Sequence, residues 1–156
     1  MSLNKVQKLI WKRDITNTTV NKNRECFQTG ENNIQFNWFD ITCMIPPPVD
    51  LMLVRDVLFH LPENLVMEVL ANINESGARY LATTTFSEGD NGKWKHYMAY
   101  QDTLKSRNDM LGLRDHIGFQ RLNLYAPPFN FPSPVLKVDD ADSGAGRHVG
   151  VWALPL

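Results

Sequence analysis

Four charged residues stand at or just beyond the ends of strand-like apolar runs. Asp14 closes the stretch that begins Leu9-Ile10-Trp11, Asp40 follows the alternating Ile34, Phe36 and Trp38, and Arg55-Asp56 follows Leu51-Met52-Leu53-Val54. In an open parallel sheet, ligands bind outside the carboxyl ends of the strands, so residues at those ends are placed by geometry to meet one. An ionised carboxylate offers two acceptor oxygens. Asp14 is therefore a candidate for ribose hydroxyls, Asp40 for an adenine amino group, and Arg55-Asp56 for the two charges of an α-amino acid. Each has a plainer reading. Asp14 and Asp40 can be turn-forming acids at strand ends, which periodicity alone favours. Arg55-Asp56 can be a local ion pair capping the following helix. His60, between Phe59 and Leu61, has the chemistry of a general base but reads better as a packed, hydrogen-bonded structural residue.

The elements that must hold these residues follow from hydropathy. Residues 8–15 are compatible with a strand, residues 17–28 carry Val20, Arg24 and Phe27 at helical spacing, and residues 33–41 alternate as a second strand. Pro46-Pro47-Pro48 is a rigid connector. Behind it, Leu51 to Val54 is apolar on both faces, as a central parallel strand would be. Leu61, Leu65, Val66, Val69, Leu70 and Ile73 predict a helix, with Pro62-Glu63 in its first turn and Ser76-Gly77 as its stop. Tyr80 to Phe86 is rich in β-branched residues and reads as a further strand. Residues 87–115 turn polar and contain Trp94, Tyr97, Met98 and Tyr100, a long loop or irregular helix whose length suits a lid; as a segment it is bounded at 87–116. The tail predicts two antiparallel strands, Val135–Val138 and Val149–Leu154, across an Asp/Gly-rich turn, with the proline-rich stretch from Ala126 to Pro134 as a folded corner. Strands alternating with helices mean α/β.

Composition sets the bounds. The chain has 156 residues, 43% hydrophobic and 21% charged, which suits one globular domain and excludes collagen, coiled coil and disorder. Sixteen basic against seventeen acidic residues leave a formal charge of −1, so no global field draws in nucleic acid or an anionic membrane. The mild basic interval of Lys93, Lys95, Lys105, Arg107 and Arg114 reads as a solvated loop. Cys26 and Cys43 are isolated, suggesting neither a metal site nor a disulfide. A reducing, intracellular and cytoplasmic setting is the expectation, with no membrane span and no nucleic-acid partner.

A family resemblance rests on longer stretches. Asp50-Leu51-Met52-Leu53-Val54-Arg55-Asp56-Val57-Leu58-Phe59-His60-Leu61, followed by Ser76-Gly77-Ala78-Arg79-Tyr80-Leu81-Ala82-Thr83-Thr84-Thr85-Phe86, resembles the fourth and fifth strands of a class I S-adenosylmethionine-dependent methyltransferase. The tail, Gly118-Phe119-Gln120-Arg121-Leu122-Asn123-Leu124, then Pro127-Pro128-Phe129-Asn130-Phe131-Pro132 and Gly150-Val151-Trp152, resembles one group within it. The likeness runs from about residue 8 to the last residue.

The resemblance implies a Rossmann-like, mostly parallel sheet with antiparallel C-terminal strands, in one incomplete domain over residues 1–156. It implies S-adenosylmethionine as cofactor. Asp14 matches the acid that holds the ribose, Asp40 the acid near the adenine with Ile41 beside it, and Arg55 and Asp56 the position bordering the methionyl end and the acceptor. The reaction implied is in-line transfer of an electrophilic methyl group, driven by positioning and desolvation, to a small-molecule or protein acceptor. The family's glycine-rich turn after its first strand is missing, and Gly144-Ala145-Gly146 follow the wrong element. With the first strand and helix absent, either the sheet re-pairs directly or the chain is a fragment. The alternative function is a non-catalytic remnant that binds proteins through Trp94 to Tyr100 or Pro127 to Pro134.

Overall fold

The computed structural model describes residues 10–28, 33–89, 91–92, 95–96, 118–140 and 146–156. They fall into two compact units that divide between Met44 and Ile45.

The first unit is a β-α-β run: β1 (Ile10–Asp14), α1 (Asn17–Phe27) and β2 (Ile34–Trp38). β1 and β2 are parallel, in register from Ile10 against Ile34 to Asp14 against Trp38. The helix is polar and buries little beyond Val20. Its attachment is by hydrogen bonds: Arg24 Nε donates to the Phe36 carbonyl at 2.7 Å, and the Phe36 N–H donates to Gln28 Oε1 at 3.1 Å. Both backbone groups of Phe36 face away from β1, so these two side chains satisfy part of an otherwise open strand edge.

The second unit holds β3 (Leu51–Val54), a 3-10 turn (Leu58–His60), α2 (Glu63–Glu75), β4 (Tyr80–Phe86), the short β5 (Lys95–His96) and β6 (Gly118–Phe119), then β7 (Leu136–Asp139) and β8 (Arg147–Ala153). Its main sheet runs β3-β4-β8-β7, with β3 and β4 parallel and both other pairings antiparallel. A four-stranded mixed sheet with two helices is an α/β arrangement, as the order of segments predicts, and the antiparallel ending is where the tail's two apolar runs put it.

α2 presents Val66, Val69, Leu70 and Ile73 as one buried stripe, the spacing of an amphipathic helix on a core. It begins behind Pro62 and stops at Ser76, followed by Gly77 at φ +72, a left-handed position glycine takes without a Cβ penalty. β4 is the buried centre: Leu81 through Phe86 are all inside, including three threonines. Their hydroxyls are placed individually. Thr83 donates to the Val54 carbonyl at 2.8 Å, Thr85 to the Leu122 carbonyl at 3.1 Å, and Thr84 to a carboxylate described below.

One expectation needs correcting. The unbroken apolar run of β3 suggests a central strand buried on both faces, but among the described residues β3 bonds to β4 alone, and Leu51 and Leu53 are 55% and 63% exposed. A strand shields both faces only when covered on each, and hydropathy reports the capacity for burial, not the neighbour.

The proline-rich corner is folded, as expected. Phe131 is buried, meets the Trp152 ring edge-on with centroids 5.2 Å apart, and donates its N–H to the Leu124 carbonyl at 2.8 Å. Asn91 ties this corner down, donating from Nδ2 to the carbonyls of Asn123 (2.7 Å) and Pro127 (2.8 Å) and accepting the Asn123 N–H at 2.9 Å. Of the lid segment, residues 90, 93–94 and 97–116 lie outside the described residues.

Candidate functional site

Because β1 and β2 are parallel, their carboxyl ends lie together. Asp14 is the last residue of β1, and its carbonyl accepts the Phe39 N–H at 3.0 Å, which brings the chain after β2 alongside. Asp14 Oδ1 accepts the Thr16 N–H at 2.7 Å; Asp40 Oδ1 accepts the Thr42 N–H at 2.9 Å and the Thr42 hydroxyl at 2.6 Å. Both acids thus form the turns of the plainer reading, each through one oxygen. Neither is in a salt bridge among the described residues. Both are half-buried, and Ile41, also half-buried, enters the turn directly after Asp40. The structure therefore gathers Asp14, Asp40 and Ile41 at one end of the two-stranded sheet.

At the carboxyl end of β3 the local ion pair forms, but at long range, and it does not cap α2. Arg55 Nε stands 3.8 Å from Asp56 Oδ2, and α2 does not start until Glu63. Asp56 instead takes φ +58, a left-handed conformation uncommon outside glycine, asparagine and aspartate. Its N–H donates to Thr84 Oγ1 at 3.0 Å, and the Thr84 hydroxyl returns a bond to Asp56 Oδ1 at 2.9 Å. Arg147 Nη2 donates to the same Oδ1 at 2.7 Å. Asp140 joins the group, its Oδ2 3.3 Å from Arg147 Nε and 3.6 Å from Arg55 Nη2. The Arg147 guanidinium also lies 5.7 Å from the centre of the Phe59 ring, within cation–π range. The cluster contains two arginines and two aspartates, so its charge balances.

Arg147, Asp140 and Thr84 were not among the residues the sequence singled out. Arg147 is 91 positions from Asp56, and β4–β8 pairing is what carries it there. The visible signal was a run of three threonines in a strand too buried to leave hydroxyls without partners. His60 is exposed, its Nδ1 2.9 Å from the Gly118 carbonyl and its ring 4.4 Å from that of Phe59, in keeping with a structural role.

Next to Arg147, His148 is buried and faces the other side of β8. Its Nδ1 lies 2.8 Å from the Gly146 carbonyl and therefore carries the proton, which leaves Nε2 to accept the Tyr125 hydroxyl at 2.6 Å. Burial pushes the Tyr125 hydroxyl above its ordinary pKa of 10.0. A cavity of about 450 Å³, lined by residues such as Asn74, Arg79 and Leu154, opens at the start of β4, the opposite end from Asp56. No cluster of His, Cys, Asp and Glu among the described residues could hold a metal ion, and no described helix is long and apolar enough to cross a membrane.

Do these residues fit the cofactor that the resemblance implies? A methionyl group carries an ammonium and a carboxylate. Among the described residues, Asp56 keeps Oδ2 clear of hydrogen bonds, and Arg55, 56% exposed, is held only by two long ion pairs. An open acceptor beside a loosely held guanidinium suits a zwitterion.

No family model matches the sequence, and no curated protein matches it. Solved structures do. Magnesium protoporphyrin IX methyltransferase (ChlM) from Synechocystis PCC 6803 with bound SAH superposes at a TM-score of 0.53 and 16% identity over 92% of this chain, which spans 62% of that one. The methyltransferase domain of bacterial CtHen1-CN gives 0.53 and 13% over 93% of this chain and 77% of its own. A protein of Rhodobacter sphaeroides described as a Zn-dependent alcohol dehydrogenase gives 0.61 and 10% over 93% and 75%. Identities this low speak of architecture. The chain has the class I methyltransferase fold and spans 62% of the length of ChlM.

Proposed function

We propose that this chain binds S-adenosylmethionine and is built to transfer its methyl group. The family resemblance assigns Asp14 to the ribose hydroxyls, Asp40 and Ile41 to the adenine, and Arg55 and Asp56 to the carboxylate and ammonium of the methionyl end. The observation that carries the reading is that Asp14, Asp40 and Asp56 stand at or just beyond the carboxyl ends of parallel strands, and that among the described residues each spends only Oδ1 on hydrogen bonds. Structural neighbours such as ChlM, solved with SAH, lend it support.

The cofactor supplies an electrophilic methyl on a sulfonium, which leaves as a neutral thioether when an acceptor's electron pair displaces it. The work left to the protein is to orient and desolvate. Asp56 anchors one end of the ligand so that an acceptor can approach in line, and the neutral Arg55–Asp56 couple matches a zwitterion without adding net charge. The acceptor is a small molecule or a protein group.

Isothermal titration with S-adenosylmethionine and S-adenosylhomocysteine tests this. Saturable heat that disappears in Asp14→Ala and Asp56→Asn is expected. No heat above buffer at about millimolar ligand, where a site of useful affinity would saturate, overturns it.

A further inference from the structure

The two oxygens of the Asp56 carboxylate are unlike. Oδ1 is saturated by a buried hydroxyl and a guanidinium, Thr84 Oγ1 at 2.9 Å and Arg147 Nη2 at 2.7 Å. Among the described residues, Oδ2 has only Arg55 Nε, at 3.8 Å. The arginines are unlike as well. Arg147 is 21% exposed and held on three sides, by Asp56, by Asp140 and by the face of Phe59. Arg55 is 56% exposed, and its two ion pairs among the described residues are longer than a hydrogen bond. One guanidinium is fixed and the other is exchangeable.

A carboxylate on a left-handed residue can rotate about χ1 and χ2 unless something stops it. Thr84 alone gives one bond to Oδ1, and water would compete for it. The second bond from Arg147 is charge-assisted, short and part-buried, the kind that fixes orientation as well as adding energy. We propose that Arg147 is a positioning residue for ligand binding: it locks Oδ1 of Asp56 and so leaves Oδ2 aimed to accept from the ammonium of the cofactor's amino-acid end, while touching no ligand itself. Arg55 is then the group that moves, exchanging Asp140 for the ligand carboxylate. This inference rests on the cofactor reading above and goes beyond it by assigning one end of the ligand to a residue that sequence order places far from it.

The experiment compares two probes by isothermal titration: S-adenosylhomocysteine, which has the amino-acid end, and 5′-methylthioadenosine, which lacks it. In Arg147→Gln, affinity for S-adenosylhomocysteine is expected to fall about tenfold or more, while affinity for 5′-methylthioadenosine stays within about twofold of wild type. Arg147→Lys is expected to recover part of the lost affinity, because an ammonium can still meet Oδ1 but cannot also span to Asp140 as the planar fork does. Thermal unfolding of each variant reports its folding. If Arg147→Gln does not unfold cooperatively, the selective loss in Arg147→Lys decides the matter. Equal losses for both probes, or no loss for either, overturn the positioning role and leave the cofactor reading intact. Wild-type protein that binds neither probe overturns the cofactor reading, and the inference with it.

Discussion

Replacing Thr84 by valine removes one hydroxyl from the buried centre of β4 and keeps the shape. Thr84 is 2% exposed, and its hydroxyl both accepts the Asp56 N–H at 3.0 Å and donates to Asp56 Oδ1 at 2.9 Å. Valine therefore strips Asp56 of two bonds. A net hydrogen bond is worth about 1 kcal/mol, and one to a charged group about 1.5–3 kcal/mol. The Asp56 side chain is 37% exposed, so water recovers part of the second and the lower end applies. The expected loss is about 2 kcal/mol. Thr83→Val is the internal control, because Thr83 is equally buried and loses a single neutral bond to the Val54 carbonyl, about 1 kcal/mol. Apolar gain from the added methyl is the same in both variants and cancels in the comparison.

Urea unfolding followed by tryptophan fluorescence measures both. At a slope of about 2 kcal/mol/M, the midpoint of Thr84→Val should fall by roughly 1 M and that of Thr83→Val by roughly 0.5 M. Hydrogen exchange supplies a second readout, since the Asp56 amide should lose protection in Thr84→Val and keep it in Thr83→Val. If Thr84→Val is no less stable than Thr83→Val and the Asp56 amide stays protected, the left-handed turn is held by something other than this loop of two bonds. The reasoning that makes Asp56 a fixed acceptor would then be wrong.

Further outcomes follow from the same contacts. A Cβ at Gly150 would sit 2.1 Å from the Trp152 ring, which is itself 1% exposed, so Gly150→Ala should lower stability by about 1–3 kcal/mol in thermal or urea unfolding; a neutral effect would mean the ring has room to move. With the Tyr125 hydroxyl raised by burial, the folded state holds its proton more tightly than the unfolded chain does. The stability this contributes is complete below the unfolded value of 10.0 and is lost as pH rises through the higher folded value. The loss of stability above pH 10.0 should therefore be smaller in Tyr125→Phe than in the wild type. At neutral pH the same variant should cost about 1–3 kcal/mol, since it leaves His148 Nε2 buried without a donor. Asn91→Ala removes one amide from two close carbonyls and a backbone N–H at the proline corner, and should destabilise by about 2 kcal/mol, with proteolysis near Pro127 rising in step; unchanged proteolysis would argue that Phe131 and Trp152 hold the corner alone.

What the sequence determined by itself was local and periodic. The 66, 69, 70, 73 stripe gave α2, the Ser76-Gly77 stop marked its end, and alternating or unbroken apolar runs gave β1 to β4 and the closing pair, because hydropathic period and backbone period are the same quantity. Asp14, Asp40, Arg55 and Asp56 were legible as strand-end residues for the same reason. Partnership was not legible. Whether Leu53 is covered, and which group Asp56 bonds, depend on which strands become neighbours, a property of pairing across many residues that no local pattern encodes. Only the antiparallel register of β4 with β8 set Thr84 opposite Val149 and carried Arg147 to Asp56, adding to a long local ion pair two hydrogen bonds that, among the described residues, fall on one carboxylate oxygen and leave the other without any.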